Sequence, residues 1–186
     1  MTTVSEPILQ ALVEAAVIGT GGTDGWLLIP RGTALEAVAA AGPHAADVLG
    51  AMVDADAGAA GFVLGSGQPM ALSPRADDPR AAQGVAAIIG HRPRSVLCIP
   101  CESDDGVAGV LEIVDKSDHA MFSFDDVELA TLMAGVAGVA VETLGASRAR
   151  APGPDELAGE LRRLGANDPS RYEVVASLIA SLIASG

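Results

Sequence analysis

The chain has 186 residues, with 24 Asp plus Glu against 11 Lys plus Arg and a formal net charge of -13. That balance excludes a protein that wraps nucleic acid or an anionic membrane, because neutralising phosphate needs an excess of Lys and Arg, and five aromatics (Trp26, Phe62, Phe122, Phe124, Tyr172) are too few for a base-stacking platform. A hydrophobic content of 49% is too high for a disordered acidic tail, and a chain of this length buries roughly 70% of its unfolded surface, so it needs no disulfide staples.

The N-terminal stretch Met1 to Gly22 carries Glu6 and Glu14 and no basic leader, unlike a signal peptide. The uncharged run Val174 to Gly186 is shorter than the about 20 residues that span a bilayer. A soluble, cytoplasmic protein without membrane contact is expected. Ile8, Leu9, Leu12, Val13, Ala16 and Val17 form an i, i+3/i+4 stripe, which predicts a helix over Pro7 to Ile18. Gly19 to Gly25 reads as a loop. Trp26 to Pro30 and Thr33 to Ala41 read as a hairpin turned at Arg31-Gly32. His44 to Val53 repeats a helical stripe, and Asp56 is the expected cap of a short helix through Leu64 that stops at Gly65-Ser66-Gly67.

Met70 to Leu72 reads as a strand fragment, and Asp77-Asp78-Pro79 as the start of a helix to Ile89. Ser95 to Cys101 and Val107 to Val114 are the clearest strands, joined by a turn ending in Asp105-Gly106. In the second of them Val107, Gly109, Leu111 and Ile113 share one face and Glu112 points to the other. Ser123 and Asp126 have capping-box spacing, with Phe122 and Val127 placed as a hydrophobic staple, so a long helix starts there and runs to about Leu144. After Ala151-Pro152-Gly153-Pro154 come two short helices, Asp155 to Leu164 and Ser170 to Ala184. This order predicts an α+β fold with an antiparallel sheet, a domain over 1–150, and a linker with a helical extension over 151–186.

The segments Ser95-Val96-Leu97-Cys98-Ile99-Pro100-Cys101, Gly106 to Lys116 and Phe122-Ser123-Phe124-Asp125-Asp126 resemble the C-terminal half of a GAF domain. There a strand ends in Val-Pro, a Gly-Val-Leu strand ends in Asn-Lys, and Phe-Ser-x-x-Asp starts a helix. Ala59 to Pro69 is similar to the family's central helix and its Ser-Gly-x-Pro exit. The resemblance spans about Pro7 to Leu144. It implies a central antiparallel sheet with helices on both faces, a small-molecule pocket on one face, a regulatory role, and dimerisation through terminal helices.

The family's cyclic-nucleotide subset carries Asn-Lys, Phe and Asp-Glu. Here Asp115 and Val127 depart from that pattern, which leaves Lys116 and Asp126 as an expected structural ion pair. The family's free methionine-(R)-sulfoxide reductases place cysteines ahead of the Val-Pro strand end. This chain has none before Cys98, which argues against catalysis.

Cys98-Ile99-Pro100-Cys101 has redox spacing, but on a strand the two thiols point to opposite faces and their α-carbons stand about 10 Å apart, beyond disulfide reach. His44, His91 and His119 show no metal-ligand spacing and read as loop or surface residues. His91 alone lies near the segment where a haem ligand is wanted. Arg75, Arg80, Arg92 and Arg94 make Arg75 to Arg94 the one basic stretch of an acidic chain. An anionic ligand held by Arg75, Arg80 and Arg92, in a pocket walled by Met70, Leu72, Ile88 and Cys98, is therefore expected. No cofactor is named by these residues. The remaining expectations are a homodimer through the N-terminal and 123–144 helices, and a protein partner for the apolar face of 170–184. A ligand-free adaptor or assembly component is the alternative function, and an enzyme like the free methionine-(R)-sulfoxide reductases is a distant one.

Overall fold

The Val107 to Val114 strand is apolar on both faces except at Glu112, as an interior strand covered on both sides requires, and it pairs with a neighbour at each edge. It lies inside a six-stranded antiparallel sheet. The structure, a computed structural model, describes residues 7–74, 82–118, 121–150 and 153–184. In chain order the elements are α1 (Pro7–Thr20), β1 (Gly22–Arg31), β2 (Ala34–Ala41), α2 (Ala45–Val48), β3 (Met52–Asp54), α3 (Gly58–Ser66) and β4 (Met70–Leu72). There follow α4 (Val85–Ile89), β5 (Val96–Ser103), β6 (Gly106–Lys116), α5 (Phe124–Arg150), α6 (Pro154–Asn167) and α7 (Pro169–Ala184). The strand order is β3-β2-β1-β6-β5-β4, all pairs antiparallel. The expected α+β fold with helices on both faces of the sheet is observed.

Two cores follow from the alternation. On one face Leu27, Ile29, Leu97, Ile99, Cys101, Leu111 and Ile113 pack under Leu9, Val13 and Ala16 of α1 and Ala130, Ala134 and Ala137 of α5. On the other, Trp26, Leu28, Leu35, Val96, Cys98, Val110 and Val114 meet Val48 of α2, Ala60 and Val63 of α3, and Val85 of α4. The capping box is present: the Ser123 hydroxyl accepts from the Asp126 amide at 3.2 Å, and Asp126 Oδ2 accepts from the Ser123 amide at 2.6 Å. The 124–145 part of α5 is long and apolar enough to cross a membrane by length and composition alone. Here its Ala130, Ala134 and Ala137 side is buried on the sheet, while Leu132, Val136 and Val139 face outward.

Several expectations are corrected. Gly19 to Gly25 is not a loop: α1 continues to Thr20, Gly21 turns the chain at φ +67°, and β1 begins at Gly22. Its glycines reflect close packing, since a Cβ on Gly25 would stand 2.5 Å from the Val17 side chain. The helix expected over His44 to Val53 is one turn, α2, followed by β3. The Ala37 amide donates to Ala51 O (2.9 Å) and the Gly50 amide to Ala37 O (2.7 Å), so pairing with β2 outcompetes helix propagation. Asp56 caps nothing; Ala57 precedes α3 with no side-chain cap. The helix expected from Asp77 has its start outside the described residues, and its described part is only α4, entered at Gly84 with φ +63°. A bulge between Leu27 and Leu28 skips Val38 in the β1–β2 register, so Val38 and Ala39 fall on the same face.

The chain divides into two compact units, Met1–Gly145 and Ala146–Gly186. In the second unit, α6 and α7 pack on each other. Tyr172 lies over Gly165, and Asp168 Oδ1 accepts from the Arg171 amide at 3.0 Å to cap α7.

Candidate functional site

On the face covered by α2, α3 and α4, the sheet and these helices do not close completely. A cavity of about 630 Å³ remains. The sheet contributes Val96, Glu112, Met70 and Leu72, α3 contributes Gly58, Ala59, Gly61 and Phe62, and Asp56, Pro74, Gln83, Ala86 and Pro93 are the other described lining residues. Gly61 is required by space as well as by the wall it forms: a Cβ there would meet the Asp56 carbonyl carbon at 2.5 Å. This lets α3 lie directly on the preceding turn.

Glu112 is the polar centre of the sheet wall. Register places Trp26 of β1 and Cys98 of β5 directly opposite it on either side, with Met70 of β4 opposite Cys98. One cross-strand row therefore reads Trp26, Glu112, Cys98, Met70. Trp26 Nε1 donates to Glu112 Oε2 at 2.5 Å, and the Cys98 thiol also hydrogen-bonds this carboxylate. Glu112 is 8% exposed. Burial pushes its carboxyl above the usual range, against the opposing pull of the Trp26 and Cys98 hydrogen bonds.

The two cysteines face opposite ways, as the strand period requires: Cys98 belongs to the core beneath the cavity and Cys101 to the core beneath α1 and α5. Both are free. Burial raises Cys98 well above its ordinary value, with Glu112 adding to the effect, and pushes Cys101 up to about 12. A thiol is nucleophilic only as the thiolate. The folded protein is therefore expected to resist labelling by an aromatic disulfide at pH 8 and to react on denaturation; rapid native labelling would contradict this burial.

Of the side chains expected in the pocket, Met70 and Leu72 line it. Ile88 does not; it lines an adjoining groove with Met52, Asp54 and Ala87 that shares Asp56 and Gln83 with the cavity. Arg92 is not part of the described lining, and Cys98, beside Glu112 in the same row, is fully buried and not at the surface of the cavity. Arg75, Arg80 and His119 lie outside the described residues. The residues that sequence reasoning did not select as site residues are Glu112, Trp26, Phe62 and Asp56. The available signal was a lone acid in the apolar run Val110-Leu111-Glu112-Ile113-Val114.

His44 and His91 are not idle surface groups. His44 Nδ1 lies 2.9 Å from Asp24 Oδ2, and that bond raises the imidazole above its ordinary value despite the lowering effect of burial. His91 Nε2 lies 2.5 Å from Asp115 Oδ2, and the two rings stack at 6.3 Å. His91 is thus turned onto Asp115 and is not part of the cavity wall. Asp115 takes φ +54°, a left-handed conformation that Asp and Asn tolerate best among non-glycine residues. The Asp-for-Asn departure at this position is therefore conservative for the backbone.

The expected Lys116–Asp126 pair is present at 2.6 Å, and Lys116 Nζ also donates to Thr20 O at 2.9 Å. One ammonium thus joins the C-terminus of α1, the end of β6 and the N-terminus of α5.

A six-stranded antiparallel sheet with helices on both faces, and a mostly apolar cavity beneath one helical layer, defines the α+β class to which this domain belongs. The chain belongs to the GAF domain family, whose match covers residues 5–141. Among solved structures it is similar to the GAF-B domain of DevS from Mycobacterium smegmatis, at 23% identity and TM-score 0.61, over 77% of this chain and 97% of that one. It is also similar to the GAF domain of a phosphoenolpyruvate-protein phosphotransferase from Coxiella burnetii (16% identity, TM-score 0.66, 76% and 84% covered). A type II free methionine-R-sulfoxide reductase from Thermoplasma acidophilum is a third relative in fold (14%, TM-score 0.57, 72% and 89%). At these identities the likeness concerns the fold. The helices α6 and α7 lie beyond the family match.

Proposed function

We propose that this protein is a non-catalytic cytoplasmic regulator that takes up a small molecule in the cavity beside Glu112 and passes its occupancy on through protein contacts. The cavity itself carries this reading. Its volume falls within the roughly 300–1,000 Å³ of small-molecule sites, and its wall is apolar around one buried carboxyl group.

The route outward is short. Leu111 and Ile113, the chain neighbours of Glu112, pack beneath α1 and α5 on the opposite face, so a displacement of β6 at the ligand reaches those helices directly. Ile8 and Ile18 of α1 and Leu132, Val136 and Val139 of α5 are exposed and apolar, the surface a homodimer would cover. Val174 and Leu178 of α7 offer a second apolar face to a protein partner. Thiol catalysis is disfavoured, because the two cysteines are buried on opposite sides of one strand.

Native mass spectrometry and sedimentation of the full chain test this reading. The expected result is a small molecule retained by the wild type, lost in Ala59→Trp, which fills the cavity, together with a dimer mass. A wild type that carries nothing, and whose assembly is unchanged by Ala59→Trp, would replace the sensor with a ligand-free assembly component.

A further inference from the structure

We propose that the cavity selects a small organic cation, a protonated amine on an apolar body, with the amine seated against Glu112. This rests on reading the cavity as a ligand site.

The charged side chains in the described lining are Asp56 and Glu112, both carboxylates; no basic side chain is part of that described lining. Glu112 is held in place by an indole N–H from one neighbouring strand and a thiol from the other. Both are neutral donors: they orient the carboxylate without supplying a counter-charge. A carboxylate in apolar surroundings without a counter-charge is costly to keep ionised, which is why burial pushes this carboxyl up. An ammonium brought against it supplies the counter-charge that no described lining side chain provides, together with a charge-assisted hydrogen bond, roughly twice as strong as a neutral one. An anion in the same place would face two carboxylates.

The rest of the wall suits the body of such a molecule. Ala59, Met70, Leu72 and Val96 are apolar, and Phe62, half exposed, offers an aromatic face that attracts a cation within about 6 Å of its ring centre. The row geometry makes Glu112 a specificity-determining residue. It lies on an interior strand, locked by register between Trp26 and Cys98, and cannot move away from a mismatched ligand without breaking those bonds.

The test uses three probes with one ring and different head groups: benzylamine, benzyl alcohol and benzoate, titrated at neutral pH into the isotope-labelled full chain. Trp26 is the sole tryptophan, so its single indole N–H resonance reports directly on the Glu112 hydrogen bond. Benzylamine is expected to shift that resonance saturably and to bind at least about tenfold more tightly than benzoate. Glu112→Gln is expected to remove most of that preference while changing benzyl alcohol binding little. If Glu112→Gln fails to fold, the ranking of the three probes on the wild type still decides the matter. Benzoate binding tightest, or all three binding alike, overturns the cation inference and leaves the cavity as a ligand site. No saturable shift from any probe overturns the ligand-site reading as well.

Discussion

Gly138→Ala is expected to destabilise the protein by on the order of 3 kcal/mol, whereas Gly135→Ala, three residues earlier in the same helix, stabilises it by about 0.5–1 kcal/mol. An alanine normally strengthens an exposed helix, because it restricts the unfolded chain more than glycine does. At Gly135 nothing lies within 4 Å of the added Cβ, so only that gain is felt. At Gly138 the Cβ would collide with the carbonyl oxygen of Glu102, and the Cys101 carbonyl carbon is 3.1 Å away. Both belong to backbone that cannot rotate aside, at the irregularity between Cys101 and Glu102 in the β5–β6 register. α5 sits on β5 through this glycine, so the alanine must lift the helix from the sheet. Urea unfolding of the two variants against wild type checks this. Equal stabilisation by both would show that α5 does not approach β5 so closely.

Lys116→Met is expected to lower stability at pH 7 by about 2 kcal/mol, in the range of hydrogen bonds to charged groups. The pair is largely shielded, with side-chain exposures of 17% and 11%, and Lys116 also satisfies a carbonyl at the end of α1. Removing the ammonium leaves Asp126 bound, among the described residues, by the Ser123 amide and hydroxyl. The effect depends on pH. Burial alone would push Asp126 up, but the hydrogen bonds from Lys116 and Ser123, with the lysine's charge, together hold it below its ordinary value of 3.8. A carboxyl whose value is depressed in the folded state contributes stability that is fully present above its unfolded value and is lost as pH falls through the folded one. The gap between wild type and Lys116→Met is therefore expected to be widest at neutral pH and to narrow below about pH 4. Midpoints of urea unfolding at pH 7 and pH 3 measure it; a gap that does not change with pH would mean that methionine disturbs packing rather than the ion pair.

Parts of the site were legible in the sequence and parts were not, for definite reasons. Glu112 could be assigned to the opposite face from Leu111 and Ile113, because the strand period is 2 and needs no tertiary information. That Glu112 faces Trp26 and Cys98 depends on the register of three strands separated by as many as 86 positions, which no local pattern encodes. The same holds for the arginines. Their clustering is visible in the sequence, yet Arg92 is not part of the described cavity wall, and next to it the Arg94 amide donates to Asp115 at 2.7 Å. Met70 and Leu72 were identifiable because the resemblance to the GAF family implied that this part of the chain borders the pocket.

By itself, the sequence determined the elements whose signals are local: the α1 stripe, the β5 and β6 alternation and the Ser123–Asp126 capping box; the Lys116–Asp126 pair came from the resemblance to the GAF family. Composition likewise excluded a nucleic-acid-binding surface. Only the tertiary structure decided the fate of His44 to Val53, where bonds to the edge of β2 replaced a helix, and the role of Gly22, Gly25 and Gly138, which are small because another element lies against them. It also decided the cavity. A void is the part of space that packed elements fail to fill, so its shape and the acid on its wall follow from how distant segments meet, and no stretch of sequence specifies that alone.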